Sequence, residues 1–200
     1  GSPNFIRIPS IQDNYELALY LTQGVRATPG FDVKNCDYIL SFGSGLIEGW
    51  ESPVFMFQGK SALVQNGGIM GQIEPRLSKT AAKSDKWVAA KPGTEGALAL
   101  GIGHVIISEG LYNQDFVANY AAGFGEYKKF VMDGFAPGAV SQMTGIDVES
   151  IAGLARDFCR ARKPLAICGR GAGNSPGSLQ ELMAVHALNA LIGNLNQTGG

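Results

Sequence analysis

Two short runs constrain the fold more than any other feature: Asp37-Tyr-Ile-Leu-Ser-Phe-Gly43 and Pro164-Leu-Ala-Ile-Cys168. Both are nearly continuous strings of apolar, β-forming residues. They are too short for helices and lack the alternation of a strand that is wet on one side, so they read as parallel strands buried on both faces. Each closes on a flexible, small-residue loop, Gly43-Ser-Gly45 after the first and Gly169-Arg-Gly-Ala-Gly173 after the second. Strands of this type need helical crossovers, and the chain supplies helical spacing between them.

The segment from Ser52 to Asn66 reads as a helix, as does Glu95 to Ser108 with Leu98, Leu100, Ile102, Val105 and Ile106. A third helix opens at Thr144-Gly-Ile-Asp147 with Asp147 as N-cap. Its Val148, Ile151, Ala152, Ala155, Phe158 and Cys159 share one face. A fourth runs from Ser178 to Ile192. Gly71 to Arg76 resembles a second strand running into a loop, where Pro75 ends regular structure, and Asp85 to Lys91 a third, short strand. Tyr15 to Leu21 fits a short helix, Thr28-Pro29-Gly30 a turn, and residues 110 to 145 small helices and turns. Pro92-Gly93-Thr94 is a turn with Thr94 as N-cap. The expected architecture is a Rossmann-like, doubly wound, mostly parallel α/β sheet with helices on both faces, formed by residues 1–200 as one domain.

Composition narrows the function classes. Apolar residues make up 45% of the 200-residue chain and charged residues only 16%. A surface so poor in charge suggests that part of it is covered in the intact protein. The net charge is −1 with no basic run, which argues against a nucleic-acid partner. No apolar stretch reaches the length of a membrane span, so no direct membrane insertion is expected. Cys36, Cys159 and Cys168 form no Cys-x-x-Cys pair and read as buried hydrophobes rather than cluster or zinc ligands. His104 and His186 lie in apolar helices and read as satisfied core histidines. Phe116, Tyr120 and Phe130 read as packing. Ser41, Ser44 and Ser108 lack a Gly-x-Ser-x-Gly elbow.

In open α/β sheets a ligand binds beyond the carboxyl ends of the strands. The candidate segments there are Gly43-Ser-Gly45, Glu74-Pro-Arg-Leu-Ser78 with Thr80, Pro92-Gly-Thr-Glu95 and Gly169 to Gly173. Glycine loops let backbone N–H groups approach a pyrophosphate, and a following helix N-terminus favours the anion. Glu74 can accept from ribose hydroxyls, and Arg76 can pair with a phosphate or a nearby acid. Glu95 can accept from the adjacent N–H donors of a guanine edge. Spacing alone equally allows a surface ion pair between Glu74 and Arg76, and a dipole-favoured acid at Glu95.

Taken in chain order, these pieces resemble the large subunits of the molybdopterin oxidoreductases related to dimethyl-sulfoxide reductase, notably the polysulfide and thiosulfate reductase branch. The matching segments are Gly1-Ser2-Pro3-Asn4; Asn35 with Tyr38 to Gly43 and Glu48; Glu74-Pro75-Arg76 with Thr80 and Asp85; Pro92 to Leu98; His104 to Ile107 with Gly110-Leu-Tyr112; Thr144-Gly145 with Ile151; and Gly193-Asn194-Leu195 with Gly199-Gly200. The resemblance implies the third domain of that family, which holds the guanosine end of one molybdopterin guanine dinucleotide. By residue match, Gly43, Ser44, Glu48, Glu74, Arg76, Thr80, Pro92, Gly93, Thr94 and Glu95 would line it. It further implies a fragment inactive alone, an iron–sulfur cluster only in a domain upstream of Gly1, and partners comprising the rest of its own subunit and the iron–sulfur and membrane subunits of an anaerobic respiratory complex. The implied location is periplasmic.

Two departures from the family pattern bear on the cofactor. Gln12 stands where the reductase branch has its molybdenum-ligating cysteine. Glutamine is a poor metal ligand beside a thiolate, and Asp13 is the neighbouring oxygen donor. The family's Gly-x-Asn after the first strand is Gly43-Ser44-Gly45 here. The departures fit a chain whose pterin or molybdenum has been lost, as in the scaffold-like molybdopterin subunit of the menaquinone reductase complex. A generic Rossmann module for NAD is a third reading, weakened by the absence of a full Gly-x-Gly-x-x-Gly.

Overall fold

The computed structural model describes residues 1–6, 10–169 and 178–200. Four parallel strands make its sheet: β1 (Tyr38–Phe42), β2 (Ile69–Ile73), β3 (Lys86–Val88) and β4 (Pro164–Cys168). Their order is β3-β2-β1-β4, with the chain crossing over between every pair. All residues of β1 and β4 are buried, as a strand covered on both faces requires. The register sets the functional edge. Phe42 lies level with Ile73 on one side and Cys168 on the other, and Ile73 lies level with Val88. All four strands therefore end together, and the loops after them emerge on one edge.

The crossovers are helices. α1 (Ile11–Gln23) begins at a capping box in which the Ser10 backbone N–H donates to the Asp13 carboxylate at 2.7 Å. α2 (Pro53–Gln65) joins β1 to β2, and the single turn α3 (Lys79–Ala82) joins β2 to β3. The long excursion from β3 to β4 holds α4 (Glu95–Ser108), α5 (Gln114–Tyr120), α6 (Phe124–Gly134), α7 (Pro137–Thr144) and α8 (Val148–Arg160). α9 (Ser178–Ile192) follows β4. α4 is apolar nearly all round because it packs against α6, α7, α8 and α9 at once. Its glycines allow close approach: a Cβ on Gly96 would stand 3.3 Å from the Glu181 α carbon, and one on Gly101 would stand 2.9 Å from a Val140 methyl. α8 shows the opposite pattern, with Ile151, Ala152, Leu154, Ala155 and Phe158 buried along one stripe. Asp147 caps it by accepting from the Ser150 N–H at 2.8 Å.

Several expectations from sequence need correction. α1 is longer than Tyr15 to Leu21, because the capping box starts it earlier. β2 begins at Ile69 rather than Gly71 and ends at Ile73, just before the loop expected there, and β3 is Lys86–Val88 rather than Asp85 to Lys91. Thr94 stands at the N-cap of α4 but does not cap it; its hydroxyl donates to the Lys91 carbonyl at 2.7 Å. No turn hydrogen bond closes Thr28 to Gly30 among the described residues. Tyr120 is 77% exposed and Phe130 57%, so neither is a core residue, although Tyr120 packs on the half-buried Phe116 and Phe130 on Phe135, with ring centroids 5.4 and 5.2 Å apart. Cys159 is half-buried, whereas Cys36 and Cys168 are buried. His104 is half-buried and its Nδ1 has no partner, so it is not satisfied. The outer face of α2 exposes Val54, Phe55, Phe57 and Val64. No described helix is long and apolar enough to cross a membrane.

Candidate functional site

Three of the four loop segments expected to carry the site leave the described strands at the common carboxyl edge. The fourth, Arg170 to Gly173, lies outside the described residues, and only Gly169 of it can be placed. Its N–H donates to the Phe42 carbonyl at 3.2 Å.

The loop after β1 turns at Gly43, whose φ of 66° suits glycine. Ser44 does not present its hydroxyl outward. It is fully buried, and its Oγ shares a 2.5 Å hydrogen bond with the Ser41 Oγ. Its carbonyl accepts from the Gln72 side-chain amide of β2 at 3.1 Å. The Gln72 Oε1 beside it is buried without a partner, an acceptor left over at the base of the edge. Glu48 reaches across to α3, where its Oε2 accepts from the Thr80 backbone N–H at 3.0 Å and from the Thr80 hydroxyl at 2.8 Å. These bonds hold the Glu48 carboxyl below the usual carboxylate range.

The loop after β2 carries Glu74, only 8% exposed. Its Oε1 accepts from the Ser78 hydroxyl, and its carbonyl accepts from the Trp87 indole N–H at 3.0 Å. Arg76 is exposed, and no ion pair joins it to Glu74 among the described residues. The surface-pair alternative is therefore set aside. In the third loop Pro92 and Gly93 are exposed, with Gly93 at a φ of 83°. Glu95 opens α4 and is only 2% exposed. The structure thus brings Gly43, Ser44, Glu48, Glu74 and Thr80 into one bonded unit, and the register sets Pro92 to Glu95 on the same edge. Sequence reading missed Ser41, Gln72 and Ser78 as the polar side chains that tie the loops together. The serine and glutamine inside otherwise apolar strands were the available signal.

The residues at the expected metal position are engaged elsewhere. The Gln12 amide donates to the Glu51 Oε1 at 3.5 Å, and Asp13 serves the capping box of α1. Burial pushes the Glu51 carboxyl up, against the bond from Gln12. Glu51 itself has a φ of 53°, rare for a residue with a side chain. Among the described residues no three His, Cys, Asp or Glu side chains converge as metal ligands. At the expected ligand position Gln12 is a poor donor for molybdenum, and its amide faces Glu51. A separate cleft of about 650 Å³, lined by Arg162, Lys163 and Asn194 among others, includes the start of β4 and so lies at the opposite edge of the sheet.

Comparison with known proteins agrees with this architecture. The chain is 29% identical over its whole length to the molybdopterin-containing subunit of the arsenate respiratory reductase of Shewanella sp. strain ANA-3. It is 30% identical to the molybdopterin-binding-like subunit of the menaquinone reductase of Nitratidesulfovibrio vulgaris, and 32% identical to the molybdopterin-containing subunit of the thiosulfate reductase of Salmonella typhimurium, each over all of this chain. It spans about a quarter of the length of these relatives, between 26% and 28%. Acetylene hydratase from Pelobacter acetylenicus shares the fold, with a TM-score of 0.81 over 94% of this chain and 25% of the hydratase, at 24% identity. The molybdopterin oxidoreductase family model matches residues 10–200, and the chain belongs to that family.

Proposed function

We propose that this chain is the part of a molybdopterin oxidoreductase subunit that holds the guanosine end of a molybdopterin guanine dinucleotide in a respiratory electron-transfer complex. The observation that carries the reading is the cross-linked carboxyl edge. Glu48 bonds Thr80, Gln72 bonds Ser44, and a buried acid opens the helix after the third loop. On this edge Glu95 accepts from the guanine N–H donors, and Glu74, oriented by Ser78, accepts from ribose hydroxyls. The Gly43 and Pro92-Gly93-Thr94 turns offer backbone N–H groups to the pyrophosphate. Arg76, exposed beside Glu74, supplies positive charge for a phosphate. When bound, the cofactor supplies the redox chemistry, and the residues of this chain supply binding and orientation. Calorimetric titration with GDP and with NAD tests the reading. Binding of GDP without NAD supports it, and the reverse preference supports a generic Rossmann module instead.

A second reading has its own observation. Gln12 is held by Glu51, and the menaquinone reductase relative is named for a molybdopterin-binding-like subunit. On this reading the family fold serves as a metal-free scaffold for electron transfer to quinone. Metal analysis of the whole protein matured in its own host separates the two, since molybdenum or tungsten at one ion per chain sinks the scaffold. Both readings put the protein in the periplasm beside iron–sulfur and membrane subunits. A twin-arginine leader and a cysteine cluster in the gene upstream of Gly1 are the features that test this.

A further inference from the structure

We propose that Glu48 is a positioning residue, a strap that holds the loop after β2 in the shape that presents Glu74, rather than a group that touches the ligand. The inference rests on the reading of this edge as a guanosine site and deepens it.

The geometry runs through four residues. Glu48 stands in the loop after β1, and its Oε2 takes both polar hydrogens of Thr80, 32 positions further along the chain. Thr80 is buried in the single turn of α3. The N-cap of that turn is Ser78, whose Oγ accepts from the Ala81 N–H at 3.1 Å and donates to the Glu74 carboxylate. A four-residue helix has too few internal hydrogen bonds to hold itself. The Glu48 carboxylate supplies an outside anchor at its first turn, and Ser78 passes the resulting orientation to Glu74. The Glu48 oxygen that takes both Thr80 hydrogens is thereby engaged within the protein. Glu74 keeps a second carboxylate oxygen beside the one that Ser78 holds.

The strap predicts two linked losses in the protein carrying Glu48→Ala. The Thr80 backbone amide exchanges with solvent about tenfold faster, because its acceptor is gone. GDP binds about tenfold more weakly, while the preference for GDP over ADP is unchanged, since Glu95 reads the base. Glu48→Gln restores both, because the amide oxygen still accepts from Thr80. If Glu48→Ala weakens GDP but leaves Thr80 exchange as in the parent, Glu48 touches the ligand and the strap is wrong. If neither quantity moves, it is wrong as well. Should Glu48→Ala fail to fold, the nearly isosteric Thr80→Val removes the hydroxyl bond and keeps the backbone one, so GDP weakens and the residue-80 amide exchanges faster, each by less than in Glu48→Ala, and no change in either counts against the strap. A parent protein that binds no GDP overturns the guanosine reading, and the exchange measurement still decides the strap.

Discussion

Asn189 of α9 pairs with both backbone polar groups of Ala166 on β4: its Oδ1 accepts from the Ala166 N–H and its Nδ2 donates to the Ala166 carbonyl, each at 2.8 Å. β4 lies at one end of the sheet, with β1 on its inner side only. The Asn189 side chain therefore stands in for the missing neighbour strand at a buried position. Asn189→Leu leaves a buried N–H and a buried carbonyl unsatisfied. The expected cost is about 2–4 kcal/mol of folding stability, read as a lower urea midpoint with an unchanged slope. A midpoint equal to that of the parent would sink this account of the edge.

Gly101 predicts a compensating pair. Its Cβ would stand 2.9 Å from one Val140 methyl and 3.0 Å from the other, and Val140 is fully buried. Gly101→Ala alone forces α4 and α7 apart and costs about 1–3 kcal/mol. Val140→Ala alone leaves a cavity. Together the two changes fit each other, so the double variant loses less than the sum of the singles. The denaturation midpoints of all four proteins measure that coupling, and strict additivity would contradict the packing.

How much of this was legible in the sequence depended on the range of the interaction. The strands at Tyr38 and Pro164 and the helix from Glu95 could be read because burial on all sides leaves an unbroken apolar run. The N-cap at Asp147 is equally local, with its partner three residues away. The Glu48–Thr80 bond is not local; two polar residues 32 positions apart carry no mark of each other until the strand register brings them together. Glu74 was legible as an acid after a strand, but its orientation by Ser78 was not. Tyr120 and Phe130 each pack against one ring yet stay exposed, because aromatic spacing on a helix says which residues share a side, not how far anything covers them.

The histidines predict the acid sensitivity of the fold. Burial pushes both His104 and His186 below their ordinary value of 6.5. Above that value both are neutral in the folded and the unfolded chain, and neither changes stability. As the pH falls through 6.5 the unfolded chain takes up the protons first, so acid favours unfolding until the folded-state values are reached. Glu51 works the other way, because its raised carboxyl keeps its proton longer when folded, in the window above its ordinary 4.5. The expected result is a urea midpoint that declines between about pH 7.5 and about pH 5.5. His186→Gln, which keeps a polar group beside Gln23, flattens part of that decline. A parent curve already flat across this range would show that neither ring resists protonation.

Glu95 carries the sharpest functional prediction. It is nearly fully buried on the first turn of α4, at the edge where the loops after β1 and β2 are tied together. On the proposed reading a carboxylate there accepts two N–H bonds from guanine, whereas an amide offers one acceptor and one donor group. Glu95→Gln should therefore weaken GDP by about ten- to a hundredfold, because one guanine N–H then faces a donor. Binding of ADP, which presents no such pair of donors, should not weaken. Glu74→Gln, acting on the ribose, should weaken GDP and ADP alike and leave their ratio in place. Calorimetric titration of the three proteins with both nucleotides reads the ratio directly. An unchanged GDP-to-ADP ratio in Glu95→Gln would remove Glu95 from base recognition, while a changed ratio in Glu74→Gln would move that role to the loop after β2.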